Sequence, residues 1–234
     1  MGSRSLVCGD RDMLEQELIL TFHGLGERIP PDATDDERKV WVPVEWFQAI
    51  VEALPLGGVT LAFDDGNSSD FEHAFKYLKR LGRSACFFVL TGRIGSPGYL
   101  TANQIATMHA EGMRIGSHGV AHCDWRALPD DQLEAELIGS RKALEELLGA
   151  PVLEAACPFG SYDRRVLRGL KAAGYRRVYN SDGGSARTGA WLAPRNSIHR
   201  ERELERWIEM ASAGPRGGLP SPTLVGKRLV KRLR

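Results

Sequence analysis

Seven short runs rich in β-branched and aromatic residues recur along this chain, separated by segments with helical periodicity, and that alternation constrains the fold more than any other feature. The runs are Leu18 to Phe22, Val59 to Phe63, Ala85 to Leu90, Met113 to Ser117, Val152 to Ala156, Arg176 to Tyr179 and Trp191 to Ile198. Strands joined through helices pair in parallel, so an α/β chain with a mainly parallel sheet is expected, and seven strands approach a barrel count. With 234 residues, 42% of them hydrophobic and 26% charged, one domain of this kind buries a sizeable core and no second domain is required. The text changes to Gly, Pro and Ser after residue 213, which sets a domain at 1–213 and leaves 214–234 as a Gly/Pro-rich linker with a basic C-terminal tail.

The intervening segments carry helix boundaries. Thr101 with Gln104 forms a capping box pattern, and Gly112 stops that helix. The next helix starts after Pro129 with Asp130 and Asp131 in its first turn, carries the stripe Leu133, Leu137, Leu144 and Leu148, and closes at Gly149. Asp163 is placed to cap a helix whose Val166, Leu167 and Leu170 face inward before Gly174.

The formal charge of +1 gives no sign of a nucleic-acid partner. Lys227, Arg228, Lys231, Arg232 and Arg234 make the last stretch basic, which fits either a solvated terminus or peripheral contact with an anionic membrane. Cys8, Cys86, Cys123 and Cys157 form no CxxC pair, and neither a signal-peptide pattern nor a bilayer-length apolar run is visible. Reduced thiols and a cytoplasmic location are expected.

Ligands of βα folds bind at the C-terminal ends of the strands. The residues there are His23-Gly24, Asp64-Asp65-Gly66, Ser117 to His122, Cys157 to Gly160 and Pro194-Arg195. His118 and His122 approach each other if their segment turns helical, and one carboxylate from a neighbouring strand end completes a His, His, Asp set with an open position, as catalytic zinc requires. Adjacent strand-end residues point apart, so one of Asp64 and Asp65 can hold a metal while the other accepts a proton. Taken singly, Asp-Asp-Gly is also good turn chemistry, and such a histidine pair also arises by chance.

Phe63-Asp64-Asp65-Gly66, then Ser117-His118-Gly119-Val120-Ala121-His122, then Cys157-Pro158-Phe159-Gly160-Ser161-Tyr162 resemble the first three motifs of the polysaccharide deacetylases, the NodB-homology group, over roughly residues 18 to 200. The resemblance implies a distorted (β/α)7 TIM-like barrel as a single catalytic domain. It implies one divalent metal, zinc first and cobalt, nickel or manganese as alternatives, on Asp65, His118 and His122. It further implies Asp64 as general base and, following Pro158, the Phe159 N–H as an oxyanion donor. The implied reaction removes N-acetyl groups from N-acetylhexosamine units of a glycan or glycan precursor, releasing acetate and an amine. A non-glycan amide or an O-acetyl ester is the alternative substrate, and a sugar-binding protein with a relict site is the alternative class.

Two departures bear on that alternative. Many relatives carry an arginine where this chain has Ala156, and Arg195 is the candidate replacement, its other reading being an ordinary surface pair. The late histidine that acts as general acid in the family is out of register here, because His199 directly follows Ile198, and one residue on a strand reverses the face. His23 is the alternative: it is expected to line the site and is a candidate acid. Trp41, Trp46 and Phe47 fit either a sugar-stacking surface or core packing, Asp124 either a brace for a histidine or a cap, and Cys157 a small buried hydrophobe.

Overall fold

The computed structural model describes residues 16–29 and 33–218. Its strands are β1 (Gln16–Phe22), β2 (Gly24–Leu25), β3 (Trp41–Val42), β4 (Val59–Phe63), β5 (Cys86–Val89), β6 (Arg114–Ser117), β7 (Glu154–Ala156), β8 (Arg177–Asn180), β9 (Ser185–Arg187), β10 (Leu192–Pro194) and β11 (Asn196–Ser197). The main sheet runs β10-β8-β7-β6-β5-β4-β1-β11 with every neighbouring pair parallel, and β9 lies antiparallel on β1.

The last expected run is split at Arg195. Leu192–Pro194 pairs with β8, and Asn196–Ser197 pairs with β1. Pro194 has no N–H to extend its ladder, and the chain changes partner within two residues. One stave thereby joins both ends of the sheet, and the architecture is the distorted seven-stave barrel expected.

Side-chain alternation sorts the strands into two layers. Leu18, Leu20, Phe22, Phe63 and Phe87 belong to the core beneath the helices, whereas Ile19, Ala62, Phe88, Ala156, Tyr179 and Ala193 fill the barrel interior. Several interior positions are alanines, which leaves room near the mouth for larger polar side chains.

Both capping-box bonds form between Thr101 and Gln104, Gly149 ends its helix at φ 61°, and the Asp163 side chain accepts from Val166 N. The run 130–148 is not uniformly α-helical as its leucine stripe predicts: Ala135–Gly139 forms a π-helical turn between α-helical segments. Gly214–Gly218, read as the start of a linker, is a 3-10 turn whose Pro215 carbonyl accepts from Ser185 Oγ at 2.5 Å. The basic tail and Cys8 lie outside the described residues. No helix among the described residues is long and apolar enough to cross a membrane.

Between the first two staves the chain adds a feature too short for periodicity to reveal. β2 pairs with β3, with helix α1 (Asp35–Val40) before β3 and helix α2 (Val44–Glu52) after it. Trp41 is buried and donates its indole N–H to Gly26 O at 2.9 Å. Phe47 packs edge-on against Phe22, and Trp46 lies partly buried on the same core. Trp41 and Phe47 are therefore buried packing residues, with Trp46 partly buried beside them.

Candidate metal centre

β4 delivers Asp64 and Asp65, both buried, to the barrel mouth. Asp65 takes φ 74°, a left-handed conformation that aspartate tolerates better than most residues, and Gly66 continues the turn at φ 69°. The reversal sends the two carboxylates apart. Asp65 Oδ1 lies 3.5 Å from His118 Nε2 and 3.6 Å from His122 Nε2, while Asp64 faces the barrel interior.

His118 and His122 converge although their segment does not turn helical; residues 118–122 form a bent loop. Glu136, brought in by the π turn, holds it. Its carboxylate accepts from Val120 N at 2.8 Å, Ala121 N at 3.0 Å and the Trp125 indole N–H at 3.2 Å. Gly119 is required beneath this contact: its φ is 91°, and a Cβ there would stand 2.3 Å from Glu136 Oε2. The other end is fixed by His118 Nδ1, which lies 2.9 Å from the carbonyl of Ala156. Glu136 was not legible beforehand, because it is one of several acids on a leucine-striped helix and nothing in the sequence marks it out.

One ligand atom each from Asp65, His118 and His122 lies within 4.8 Å of the others, and no second such group of histidine, cysteine or acidic residues exists among the described residues. Asp65 Oδ1 is buried without a hydrogen-bond partner, as expected of an atom whose partner is a cation. Burial pushes the Asp65 carboxyl up to about 6, with His23 opposing and Asp64 reinforcing that rise. Burial also lowers His118 to about 3 and depresses His122, so both imidazoles are neutral at pH 7, the form that binds metal. The residues fit a divalent cation with three protein ligands and an open position.

Arg195 occupies the interior side of Asp64. Its Nη1 and Nη2 each donate to one Asp64 oxygen at 2.7 Å, in a pair with almost no exposure. The guanidinium lies over the rings of Phe88 and Tyr179, at 5.2 and 5.7 Å from their centroids. Burial alone would raise the Asp64 carboxyl; Arg195 above all, with His118 and His23, more than offsets it and holds the group below the ordinary carboxylate range. Arg195 thus stands in space where its surface-pair reading does not apply.

His23 Nε2 lies 3.8 Å from Asp64 Oδ2, and the Asn67 side chain donates to the His23 carbonyl. His199 is elsewhere: its ring packs edge-on against Trp207, and its carbonyl accepts from that indole. Asp124 caps the 3-10 turn Trp125–Ala127 and pairs with Arg126. It is a cap, with no contact to either histidine among its hydrogen bonds. Cys157 is buried, as a small hydrophobe would be.

The cavity above these groups holds about 150 Å³ and is lined by His23, Asp64, Asp65, His118 and His122, with Phe159, Gly160 and Ser181 on one wall and Thr34 and Glu37 on the other. Phe159 has φ 57°, is 61% exposed, and sets its ring 4.3 Å from that of His122. A Cβ on Gly160 would come within 2.4 Å of Ser181 N, so that turn closes only with glycine. Glu37 and Ser181 were missed from sequence, as was Asp70, which is fully buried with both carboxylate oxygens unpartnered and its carboxyl raised well above normal by burial.

Known proteins resemble the chain in both sequence and fold. It is 27% identical over 128 residues to YxkH of Bacillus subtilis, provisionally named a polysaccharide deacetylase, and 26% identical over 121 residues to a peptidoglycan-N-acetylglucosamine deacetylase of Bacillus cereus. These alignments cover 55% and 51% of this chain, and 46% and 54% of the relatives, so the chain spans about half their length. Among solved structures, a Bacillus cereus polysaccharide deacetylase superposes with a TM-score of 0.72 at 21% identity, covering 83% of this chain and 68% of the other. Streptococcus pyogenes deacetylase PplD, in complex with acetate, also gives 0.72, at 22% identity with 83% and 97% covered. IcaB from Ammonifex degensii gives 0.69 at 21% identity, with 85% and 98% covered. These structures share the barrel. Residues 54–178, more than half of the chain and inclusive of the first three motifs, match the family described as Polysaccharide deacetylase, and the chain belongs to that family.

Proposed function

We propose that the protein is a metal-dependent hydrolase that removes N-acetyl groups from N-acetylhexosamine units of a glycan or glycan precursor. The observation that carries this is the juxtaposition of a three-ligand set, Asp65, His118 and His122, with a second carboxylate, Asp64, clamped in its ionised form by Arg195. When bound, a divalent cation, zinc first among the candidates, supplies Lewis acidity toward a carbonyl oxygen and acidifies water.

The chain's own residues do the rest. Asp64 accepts a proton from the attacking water at Oδ2, the oxygen nearest His23 and His118. Arg195 holds that carboxylate in one orientation and keeps it charged. The Phe159 N–H, in the left-handed turn after Pro158, donates to the oxyanion as the carbonyl becomes tetrahedral. His23 is the candidate to return the proton to the departing nitrogen as the C–N bond breaks, giving acetate and a free amine. The exposed Phe159 ring offers an apolar face to the sugar. The pairing of Arg195 with Asp64 and the place of His23 beside it support an active site despite Ala156 and His199, the departures that favoured a relict one.

The test is acetate release from N-acetylglucosamine oligomers by metal-free protein before and after addition of Zn²⁺ or Co²⁺. Metal-restored release supports the proposal. Release from O-acetyl esters or small amides only would replace the substrate, and no release from any of these, even in a single turnover, would sink it.

A further inference from the structure

We propose that Glu37 is a positioning residue for the metal centre, holding the imidazole of His122 through its Nδ1. This rests on His122 being a metal ligand. A ligating histidine presents one ring nitrogen to the cation and donates the N–H of the other to a fixed acceptor, which sets ring orientation and tautomer. For His118 the acceptor is the Ala156 carbonyl, 2.9 Å from Nδ1. His122 turns Nε2 toward Asp65, and on its other side Nδ1 faces Glu37 Oε1 at 4.0 Å.

Glu37 is itself held. It is the third residue of helix α1, and its Oε2 accepts from Thr34 N at 2.7 Å and Thr34 Oγ1 at 2.9 Å in a complete capping box. With one carboxylate oxygen tied to the helix N-terminus, the other is left facing the pocket, where Arg93 Nη1 also approaches it at 3.8 Å. With Nε2 turned to the metal position, the ring proton would reside on Nδ1, the nitrogen that faces the Glu37 carboxylate. Glu37 lies outside residues 54–178, so the family match assigns it nothing. A capping box on an added helix supplies the second histidine with the support that a strand carbonyl gives the first.

The experiment titrates Co²⁺ into metal-free wild type, Glu37→Ala, Glu37→Gln, Thr34→Ala and His122→Ala, following the visible ligand-field absorption, with thermal unfolding of each metal-free protein as the control for folding. Glu37→Ala is expected to weaken Co²⁺ binding about 10–100-fold and to alter the spectrum. Glu37→Gln keeps the box and a neutral acceptor and should recover most of the affinity. Thr34→Ala breaks the cap but keeps the carboxylate and should lose less than Glu37→Ala. Wild-type affinity and spectrum in Glu37→Ala, with His122→Ala impaired, would overturn this inference alone. Failure of wild type to bind Co²⁺, or binding unaffected by His122→Ala, would overturn the metal assignment and this inference with it.

Discussion

Replacing Arg195 with methionine removes one member of a buried ion pair and leaves the other without its charge partner. Both Asp64 oxygens lose a 2.7 Å bond, and the carboxylate stays almost inaccessible to water. Breaking such a pair from one side costs about 3–5 kcal/mol. The sign of the pH dependence follows from the two influences on Asp64. In the wild type the carboxyl is held below its ordinary value, so its stabilising contribution is present above the unfolded-state value of about 3.9 and is lost as pH falls through the lower folded value. In Arg195→Met burial dominates, the carboxyl rises, and the variant loses stability as pH increases through that raised value. Urea unfolding at pH 4.5 and pH 7.5 should therefore show the larger deficit at pH 7.5. Arg195→Met with Asp64→Asn should regain much of the loss, because neither charge then remains buried. A deficit below about 1 kcal/mol at pH 7.5, or no recovery in the double variant, would refute the reasoning. Turnover of Arg195→Met should fall about 100-fold or more, since the base is no longer held ionised and in place.

Further outcomes follow from the same geometry. Asp64→Asn should abolish turnover while metal content, measured by elemental analysis, stays at wild-type level, whereas His118→Ala should lose both. Gly119→Ala forces a Cβ against Glu136 and a strained φ, and should destabilise the fold by about 1–3 kcal/mol in urea titrations while weakening metal binding. Asp70, raised by burial, holds a proton in the folded state that the unfolded chain releases above about 3.9; its contribution declines as pH rises, so Asp70→Asn should stabilise the metal-free protein at pH 7, with the gain shrinking toward pH 4. Saturating Zn²⁺ at about 100 times its dissociation constant should stabilise the protein by about 2.7 kcal/mol, read as a rise in melting temperature that a chelator reverses.

What the sequence makes legible here is whatever is written in short-range periodicity. Each stave is a run of adjacent residues, and the residues that face the ligand end simply follow each run, which is why His23, Asp64, Asp65, His118, His122 and Arg195 could be picked out together. Asp64 and Asp65 divide their tasks because the chain turns left-handed at Asp65 just past the end of β4, a reversal that Asp-Asp-Gly favours. The supports of the site are invisible for the complementary reason. Glu136 and Glu37 each sit among other acids on their helices, so nothing local singles them out, and each meets its partner only after a π turn or a helix cap has placed it. The spacing of His118 and His122 brings them together in a helical turn, and spacing alone cannot distinguish such a turn from the loop bent around a buried carboxylate that 118–122 forms. The β2–β3 pair consists of two-residue strands, below the length at which any pattern repeats. The seventh run reads as one strand, and its break at Arg195 arises from barrel closure, a property of the whole sheet.

The most direct measurement is an anomalous difference map from crystals grown with Zn²⁺. We expect one strong peak about 2.0–2.2 Å from Asp65 Oδ1, His118 Nε2 and His122 Nε2, with Asp64 still paired to Arg195 beside it. A map without that peak, or with the ion bound away from both histidines, would contradict the proposed chemistry.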